Sequence, residues 1–158
     1  MRILCILSVL VASCYGVWWQ QQVVEVTGTL LCNEKPVGAY VELMERDIDP
    51  DDVMCAKLVD DHGNFRLSGA EGELFQSISP YLRVSHQCRP PVHHPYVNKF
   101  CYNLREIRIP PKCIDRCYFC GVCNFNIRLD VPMPGDRVEC GDEASLIYKY
   151  YPVRPKEC

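Results

Sequence analysis

Short blocks in which apolar and polar residues alternate make up most of this chain, and Gly, Pro, Asn or Asp ends each block. No long stretch repeats its apolar residues with the period of a helix. Side chains of a β-strand point to opposite faces in turn, so each block predicts a strand with one apolar face. The seven predicted strands span residues 24–32, 39–46, 54–59, 64–68, 81–88, 101–109 and 125–131. This pattern predicts an all-β fold, a two-sheet β-sandwich of seven to eight strands.

Alternation also assigns the side chains that face the core of the predicted sandwich. The inward rows are Val24, Val26, Leu30 and Cys32, then Ala39, Val41 and Leu43, then Phe65 and Leu67, then Leu82, Val84 and His86, and finally Phe125, Ile127, Leu129 and Val131. The loop Asp60-Asp61-His62-Gly63 favours a tight hairpin because Asp and Gly suit turn conformations. Gly28 falls on an inward row, which favours a β-bulge. One helical turn is predicted within Glu71–Ile78.

The first sixteen residues resemble a secretory signal peptide. Arg2 is their only charge, an apolar run extends from Ile3 to Ala12, and small residues precede the predicted cleavage after Gly16. The run is shorter than the roughly 20 residues that span a bilayer, and no second apolar stretch of about 18 residues follows. A span extended through Trp19 and a buried core segment are the alternatives. We expect a secreted, extracellular protein that is not membrane-spanning.

The net charge limits the possible partners, and the predicted segments give the domain organisation. Loss of Arg2 with the signal peptide changes the formal net charge from −3 to −4, which argues against a nucleic-acid partner. The predicted organisation is a signal peptide at 1–16, an N-terminal segment at 17–22, a sandwich at 23–140 that contains a Cys-rich loop at 110–124, and a C-terminal tail at 141–158. An eighth strand through Leu146–Tyr151 is left open.

Cysteines are the main candidates for special chemistry. The chain has 12, and the Cys-rich loop holds four of them at Cys113, Cys117, Cys120 and Cys123. Thiolates at such spacing can bind zinc or an iron–sulfur cluster, and Cys120-Gly121-Val122-Cys123 has the spacing of a redox-active pair. Structural zinc sites usually set two Cys-x-x-Cys pairs further apart, and an extracellular setting favours oxidation. We predict disulfides with no cofactor and no metal.

An ordered set of motifs runs through most of the predicted sandwich. It comprises Val26-Thr27-Gly28-Thr29-Leu30-Leu31-Cys32-Asn33, Lys35-Pro36-Val37-Gly38, Val41-Glu42-Leu43, Asp51-Asp52-Val53-Met54, Asp61-His62-Gly63-Asn64-Phe65, Leu67-Ser68-Gly69, Ser79-Pro80-Tyr81-Leu82, His86-Gln87-Cys88, Ile107-Arg108-Ile109-Pro110 and Gly135-Asp136-Arg137-Val138-Glu139-Cys140. In content and order it resembles the nematode transthyretin-like family. The resemblance implies a secreted transthyretin-like β-sandwich, with some members binding extracellular ligands or lipids.

The resemblance also implies a partial disulfide pattern. Cys32, Cys88, Cys101 and Cys140 fall at positions where the family has cysteines, and by this likeness we expect Cys88–Cys101 and Cys32–Cys140. Closing the proline-rich loop between Cys88 and Cys101 would contribute roughly 3 kcal/mol. The additional cysteines, whose pairing the sequence leaves open, are Cys55, Cys113, Cys117, Cys120, Cys123 and Cys158. Of these, Cys55 and Cys158 are expected to join the Cys-rich loop.

The predicted function is a non-enzymatic extracellular binding protein. A hydrolase with the transthyretin fold ends in Tyr-Arg-Gly-Ser and uses a histidine near its N-terminus, and neither feature occurs here. No nucleophile elbow or His-Glu-x-x-His helix occurs either. The expected partner is an apolar small molecule, a lipid or a cell-surface protein, with Tyr118, Phe119 and Val122 as a candidate contact patch. The alternatives are an interaction protein that uses the Cys-rich loop and an extracellular metal-binding protein.

Overall fold

The computed structural model describes residues 19–48, 50–74, 77–88, 100–115, 122–141 and 158. Most of these residues form β-strands, and the helical element among them is a 3-10 turn at Pro111–Cys113. The strands are β1 (Trp19–Cys32), β2 (Lys35–Pro36), β3 (Ala39–Glu45), β4 (Asp52–Val59), β5 (Asn64–Leu74), β6 (Pro80–His86), β7 (Phe100–Arg108), β8 (Ile114–Asp115), β9 (Cys123–Arg128) and β10 (Arg137–Gly141). Within these ranges no helix is long and apolar enough to cross a bilayer.

Sheet I is built around β1 and also contains β2, β5, β8 and β9. Strand β5 pairs with β1 in antiparallel fashion from Trp19–Leu74 to Thr29–Asn64, whereas β9 runs parallel to β1. Because Val26 to Thr29 pair with both neighbours, β5 and β9 lie on opposite edges of β1. The turn from β1 to β2 uses Asn33 and Glu34, with φ angles of 51° and 65°. Positive φ at both central residues matches the twist of a tight hairpin.

Sheet II has the strand order β10-β7-β6-β3-β4, and all of its neighbours are antiparallel. Directly paired residues point to the same face, so Leu43, Leu82 and Ile107 form one inward row across three strands. The register shifts between Leu43 and Met44 of β3, which leaves Met54 as the extra residue of a bulge in β4. The two-sheet, all-β sandwich that the alternation predicts is therefore confirmed.

The core lies between the two sheets and contains the predicted inward rows almost completely. Its buried residues include Val24, Val26, Leu30, Val41, Leu43, Phe65, Leu67, Leu82, Val84, Ile127 and Leu129. His86 is also buried, as its position in the alternation predicts. Val131 contradicts the prediction because β9 ends at Arg128 and the Val131 side chain is exposed.

Three other local predictions are wrong for identifiable reasons. Gly28 forms no bulge, since the β1–β5 register continues through the Gly28–Phe65 pair. Glycine is needed there because a Cβ atom would lie 2.5 Å from the carbonyl oxygen of Phe125 and 2.6 Å from Cζ of Phe65. The predicted helical turn is replaced at Glu71–Leu74 by the end of β5, where the long β1 offers pairing partners. The Asp60–Gly63 segment forms a tight turn, with Gly63 at φ 71°. It does not close the predicted hairpin, because β4 pairs with β3 in sheet II whereas β5 pairs with β1 in sheet I.

Part of the outer face of sheet II is buried as well. Tyr40, Ala56 and Leu104 form a second apolar cluster there, and Glu42 is only 2% exposed. Arg83 lies directly opposite Glu42 and donates to both of its carboxylate oxygens, at 2.6 and 3.1 Å. A two-bond pairing of this kind offsets the cost of removing both charges from water.

The sheets meet along two edges, which we name the apolar edge and the charged edge. At the apolar edge β4 contacts β5, and a Cβ atom added at Gly69 would lie 2.8 Å from Cβ of Met54. The absence of a side chain at Gly69 lets the strands of the apolar edge approach closely. At the charged edge, Arg105 of β7 lies opposite Val84 on the inward row, and this charged side chain is only 2% exposed.

Arg105 holds the charged edge together. Its guanidinium contacts both carboxylate oxygens of Asp136, at 2.9 and 2.5 Å, and donates to the backbone carbonyls of Arg128 and Val131, each at 2.6 Å. These contacts tie the connection between β9 and β10 to sheet II. The guanidinium of Arg105 also holds the pKa of the Asp136 carboxyl below its ordinary value.

The disulfides correct the predicted pairing. The structure joins Cys32 to Cys88 and Cys101 to Cys140, rather than Cys88 to Cys101 and Cys32 to Cys140. The strand register explains this change, because Cys101 and Cys140 are directly opposite each other in β7 and β10. A fixed register brings these two cysteines together, whereas proximity in sequence does not.

The additional cysteines also pair differently from the prediction. Cys55 of β4 is joined to Cys158, so neither belongs to the Cys-rich loop. Cys113 pairs with Cys123 and closes part of that loop against β1. The segment Leu146–Tyr151, for which the sequence leaves an eighth strand open, lies outside the described residues. A strand that the sequence did not predict, β10, forms an edge of sheet II instead.

Candidate functional site

A cleft of about 350 Å³ opens on the outer face of sheet II, where β6 begins and β7 ends. This volume lies at the lower end of the range for small-molecule sites. The lining comprises Ser79, Pro80 and Tyr81 from the β6 side, Glu106 and Arg108 from β7, Arg46 beyond β3, and Pro134 and Gly135 before β10. Because β6 and β7 are antiparallel neighbours, Tyr81 lies directly opposite Arg108. Four separate segments therefore build one concave surface.

Tyr81 forms the floor of the cleft. Its side chain is buried, and its hydroxyl donates a hydrogen bond of 2.6 Å to Oδ2 of Asp51. Burial, and then the hydrogen bond to Asp51, raise the pKa of Tyr81 well above its ordinary value. The phenol consequently stays protonated at physiological pH and acts as a hydrogen-bond donor, not as a base.

Arg46 covers the ring of Tyr81. The guanidinium carbon lies 4.9 Å from the ring centroid, within the range of a cation–π contact. The same guanidinium lies 3.3 Å from Oε2 of Glu106, while Arg137 donates to Oε1 of Glu106 at 2.7 Å. Both oxygens of Glu106 are therefore occupied by arginines, which compensates its negative charge within the cleft.

Arg108 is the second arginine of the lining, and its side chain is exposed. Within the part of the chain that the structure describes, Arg108 has no ion pair with a carboxylate. The cleft thus contains two guanidinium groups and one carboxylate, and that carboxylate is already bound to Arg46 and Arg137. Its electrostatic character differs from that of the chain as a whole, whose formal net charge is −3.

A tight turn forms the far wall of the cleft. The backbone N–H of Asp136 donates to the carbonyl of Met133 at 3.1 Å, and Gly135 has a φ angle of 93°. Proline at the second position and glycine with positive φ at the third are typical of a type II turn. The Asp136 carboxylate also accepts the backbone N–H of Met133 at 2.9 Å and contacts Arg105, so the charged edge fixes the position of this wall.

The lining consists of groups that are suited to holding a ligand. It contains no cysteine, serine–histidine pair or histidine, and the described residues include no cluster of three potential metal ligands. Nucleophilic catalysis needs a nucleophile close to a base, and the protonated Tyr81 supplies neither group. Guanidinium donors, a tyrosine and two prolines are well suited to hold a ligand in a fixed orientation.

The residues singled out by the sequence lie elsewhere. The Cys113–Cys123 disulfide consumes two of the four thiols in the Cys-rich loop, so those two sulfurs cannot act as thiolate ligands. Val122 is half exposed beside this disulfide. Cys117, Cys120, Tyr118 and Phe119 lie outside the described residues. The predicted contact patch therefore has one described member.

Sequence reasoning missed the cleft because its members are far apart in the chain. Tyr81 and Arg108 lie on neighbouring strands, but only the β6–β7 register places them opposite each other. Arg46 and Gly135 come from loops on either side. The signal available in the sequence was polar or charged residues at alternate positions of two strands. They are Tyr81 and Arg83 in β6, and Glu106 and Arg108 in β7. Two such rows on adjacent strands indicate a polar outer face without indicating a cleft.

Comparison with known proteins gives the family. A family model described as "TTR-52: Transthyretin-like family" matches residues 27–110 of this chain. Among curated proteins, Transthyretin-like protein 5 of Caenorhabditis elegans is 36% identical over 146 residues, which cover 87% of this chain and 97% of that protein. The chain belongs to the transthyretin-like family. This finding confirms the resemblance that the sequence motifs indicate.

A second curated relative agrees with this assignment. Transthyretin-like protein 16 of Caenorhabditis elegans is 30% identical over 142 residues, covering 89% of this chain and 99% of that protein. Among solved structures, a 9R-lipoxygenase from Cyanothece aligns with 72% of this chain and 18% of its own, at a TM-score of 0.39 and 17% identity. A similarity that weak carries no functional argument. The cleft lies partly beyond the family match, since Pro134 and Gly135 follow residue 110.

Proposed function

We propose that this transthyretin-like chain is a secreted, non-enzymatic binding protein that holds a small molecule or lipid in the cleft on the outer face of sheet II. The observation that carries the proposal is the concave surface around Tyr81, Arg46 and Arg108, with its volume of about 350 Å³. Apolar side chains pack the space between the sheets. That packing favours a ligand on the surface over one held between the sheets.

Secretion is supported by the disulfides and by the leader. Four disulfides occur among the residues that the structure describes, and such bonds persist mainly in oxidising compartments. The predicted cleavage after Gly16 would place Val17 at the N-terminus. Expression in a eukaryotic secretory host, followed by N-terminal sequencing of protein from the medium, should give a sequence that starts at Val17.

A binding role without catalysis is supported by the chemistry of the lining. Tyr81 is held as a protonated donor by burial and Asp51, while Glu106 is occupied by two arginines. The protonated Tyr81 is therefore not available as a general base near physiological pH, and each oxygen of Glu106 already accepts a hydrogen bond. Because the single proton of the Tyr81 hydroxyl is donated to Asp51, the donors that the cleft offers to a ligand are the guanidinium groups of Arg46 and Arg108.

Native mass spectrometry tests the proposal. The secreted protein would be incubated with a nematode lipid extract and, separately, with a water-soluble metabolite extract, then passed through a desalting column. We expect one extract to leave a bound compound on the protein that denaturation releases. The compound should have the same mass in the extract before incubation, because no reaction is expected.

Ser79→Trp supplies the matched comparison. Ser79 lines the cleft with an exposed side chain, so a bulky residue there should fill the site without disturbing the core. Loss of the bound compound in Ser79→Trp would support the cleft as the site. The proposal would be contradicted if the wild-type protein carried no bound compound after incubation with either extract. It would also be contradicted if Ser79→Trp bound as much of the compound as the wild type.

A second candidate is a protein-binding role for the Cys-rich loop. Val122 is 52% exposed next to the Cys113–Cys123 disulfide, and a cross-linked loop presents such a residue in a pre-ordered position. Cross-linking on live cells with wild-type protein and Val122→Asp would test it. A cell-surface partner captured only by the wild type favours this role, and equal capture argues against it.

A further inference from the structure

Arg108 is the starting point for a more specific inference about the cleft. Its guanidinium lies in the lining but has no carboxylate partner within the described part of the chain, unlike Arg46, Arg83, Arg105 and Arg137. Guanidinium groups match carboxylate and phosphate oxygens with paired hydrogen bonds. An unmatched guanidinium in a concave site is therefore a ready contact for an anionic group.

The surroundings of Arg108 strengthen this contact. Arg46 adds a second positive charge. Its guanidinium carbon lies 4.9 Å from the centroid of the Tyr81 ring, which forms the floor of the cleft. Glu106 is the negative member of the lining, and both of its oxygens already accept hydrogen bonds from arginines, at 3.3 and 2.7 Å. An incoming anion would thus meet two guanidinium groups and a carboxylate whose charge is compensated.

Two prolines supply the apolar part of the remaining walls. Pro80 is buried on one side, and Pro134 stands on the other side in a turn held by Asp136. Proline rings offer flat hydrocarbon surface and lack a backbone N–H donor. A free inorganic ion would use the arginines but leave these walls uncovered. A molecule with an anionic head and a short hydrocarbon part would use both.

We infer that the cleft binds the carboxylate or phosphate group of a small amphiphilic molecule, with Arg108 as the main contact and Arg46 as the second. The inference rests on the proposed function and specifies its ligand class. The anionic head lies between the two guanidinium groups, and the hydrocarbon part extends along Pro80 and Pro134. The ligand is bound unchanged, so no bond is made or broken.

Isothermal titration calorimetry with four probes tests the inference. The probes are octanoate, octyl phosphate, 1-octanol and inorganic phosphate, each added to the intact secreted protein at low salt. We expect octanoate or octyl phosphate to bind, with at least tenfold weaker binding of 1-octanol and of inorganic phosphate. The tighter of the two anionic amphiphiles identifies the head group as carboxylate or phosphate.

Arg108→Gln and a matched control give the decisive comparison. Because a charge-assisted hydrogen bond is lost, Arg108→Gln should weaken the tighter anionic probe about tenfold. Arg66→Gln removes an exposed arginine that contacts Glu25 on sheet I, far from the cleft, and should leave binding unchanged. Both positions are exposed, so both variants should fold.

Three results would overturn the inference. They are equal binding of 1-octanol and octanoate, equal binding of inorganic phosphate and octyl phosphate, and an Arg108→Gln affinity equal to that of the wild type. If 1-octanol binds as tightly as octanoate and Ser79→Trp abolishes that binding, the anionic ligand class fails while the cleft remains a binding site. If all four probes fail to bind, the anionic class is overturned, and the extract experiment decides separately on the proposed function.

Discussion

The two edges of the sandwich hold the sheets together by different kinds of contact, apolar at one edge and charged at the other. At the apolar edge, the missing side chain of Gly69 lets β5 approach Met54 of β4. At the charged edge, a buried arginine binds Asp136 and two backbone carbonyls. Apolar contacts tolerate small shifts, whereas a buried guanidinium needs every partner in place. The charged edge should therefore be the more sensitive of the two, and it is also the edge that supports the cleft.

The largest expected effect is the loss of the Arg105 network. Arg105→Met leaves the Asp136 carboxylate and the carbonyls of Arg128 and Val131 without their donor. Removing one partner of a buried pair typically costs about 3 to 5 kcal/mol of unfolding free energy. Urea denaturation of the purified protein measures this loss.

Arg137→Met is the control for Arg105→Met. Arg137 is half exposed and pairs with Glu106 on the outer face, so its removal should cost less than about 1 kcal/mol. If both variants lose the same stability, the charged edge has no special sensitivity and the contrast between the edges fails.

A second effect should appear on acidification. His86 is buried beside Arg105, and burial, followed by the charge of Arg105, lowers the pKa of His86 from 6.5 to about 4. Between these pH values the unfolded chain binds a proton that the folded chain does not. Unfolding free energy should therefore be fully present above pH 6.5 and fall as the pH drops toward 4, by about 3 kcal/mol.

Urea denaturation at pH 7 and pH 4.5 checks this window. His86→Gln should flatten the pH dependence, whereas His62→Gln should keep it, because His62 lies exposed in the turn between β4 and β5. A wild-type slope in His86→Gln would show that the sensitivity arises elsewhere. Below this window the lowered pKa of Asp136 predicts further loss in the same direction.

The smallest effect is expected at the apolar edge. Gly69→Ala would place a Cβ atom 2.8 Å from Cβ of Met54 and 3.3 Å from Cδ2 of Leu43. Overpacking of this kind typically costs about 1 to 3 kcal/mol. Thermal unfolding by circular dichroism measures the change, and Ala70→Val on the exposed face of β5 should change stability by less than about 0.5 kcal/mol. Equal shifts in the two variants would argue against close packing at this edge.

The sequence predicted the apolar part of the fold and little of the charged part. Alternation placed Val41, Leu43, Leu82 and Val84 on inward rows because burial of one face repeats every second residue. Arg105 occupies such a row, but a charge at an inward position gives no signal until its partners are known. Asp136 lies 31 residues further along the chain. No local pattern links the two.

The candidate site was unpredictable for a related reason. Tyr81 and Arg108 become neighbours through strand register, and Arg46 joins them through a loop. The disulfides show the same dependence, since register pairs Cys101 with Cys140 although the resemblance suggested other partners. The position of each side chain within its strand was accessible from the sequence. Which strands lie side by side was not.

The parallel pairing of β1 with β9 has a consequence for how the chain is made. β1 is among the first strands to leave the ribosome, while Cys123–Arg128 emerges much later. Until then one edge of β1 from Val26 to Leu31 has unpaired backbone groups, which can template association with other chains. Such long-range pairings form slowly. The nascent protein is therefore prone to aggregate through this edge until β9, in the last third of the chain, has been synthesised. A chaperone that binds the nascent chain should reduce aggregation most during this interval.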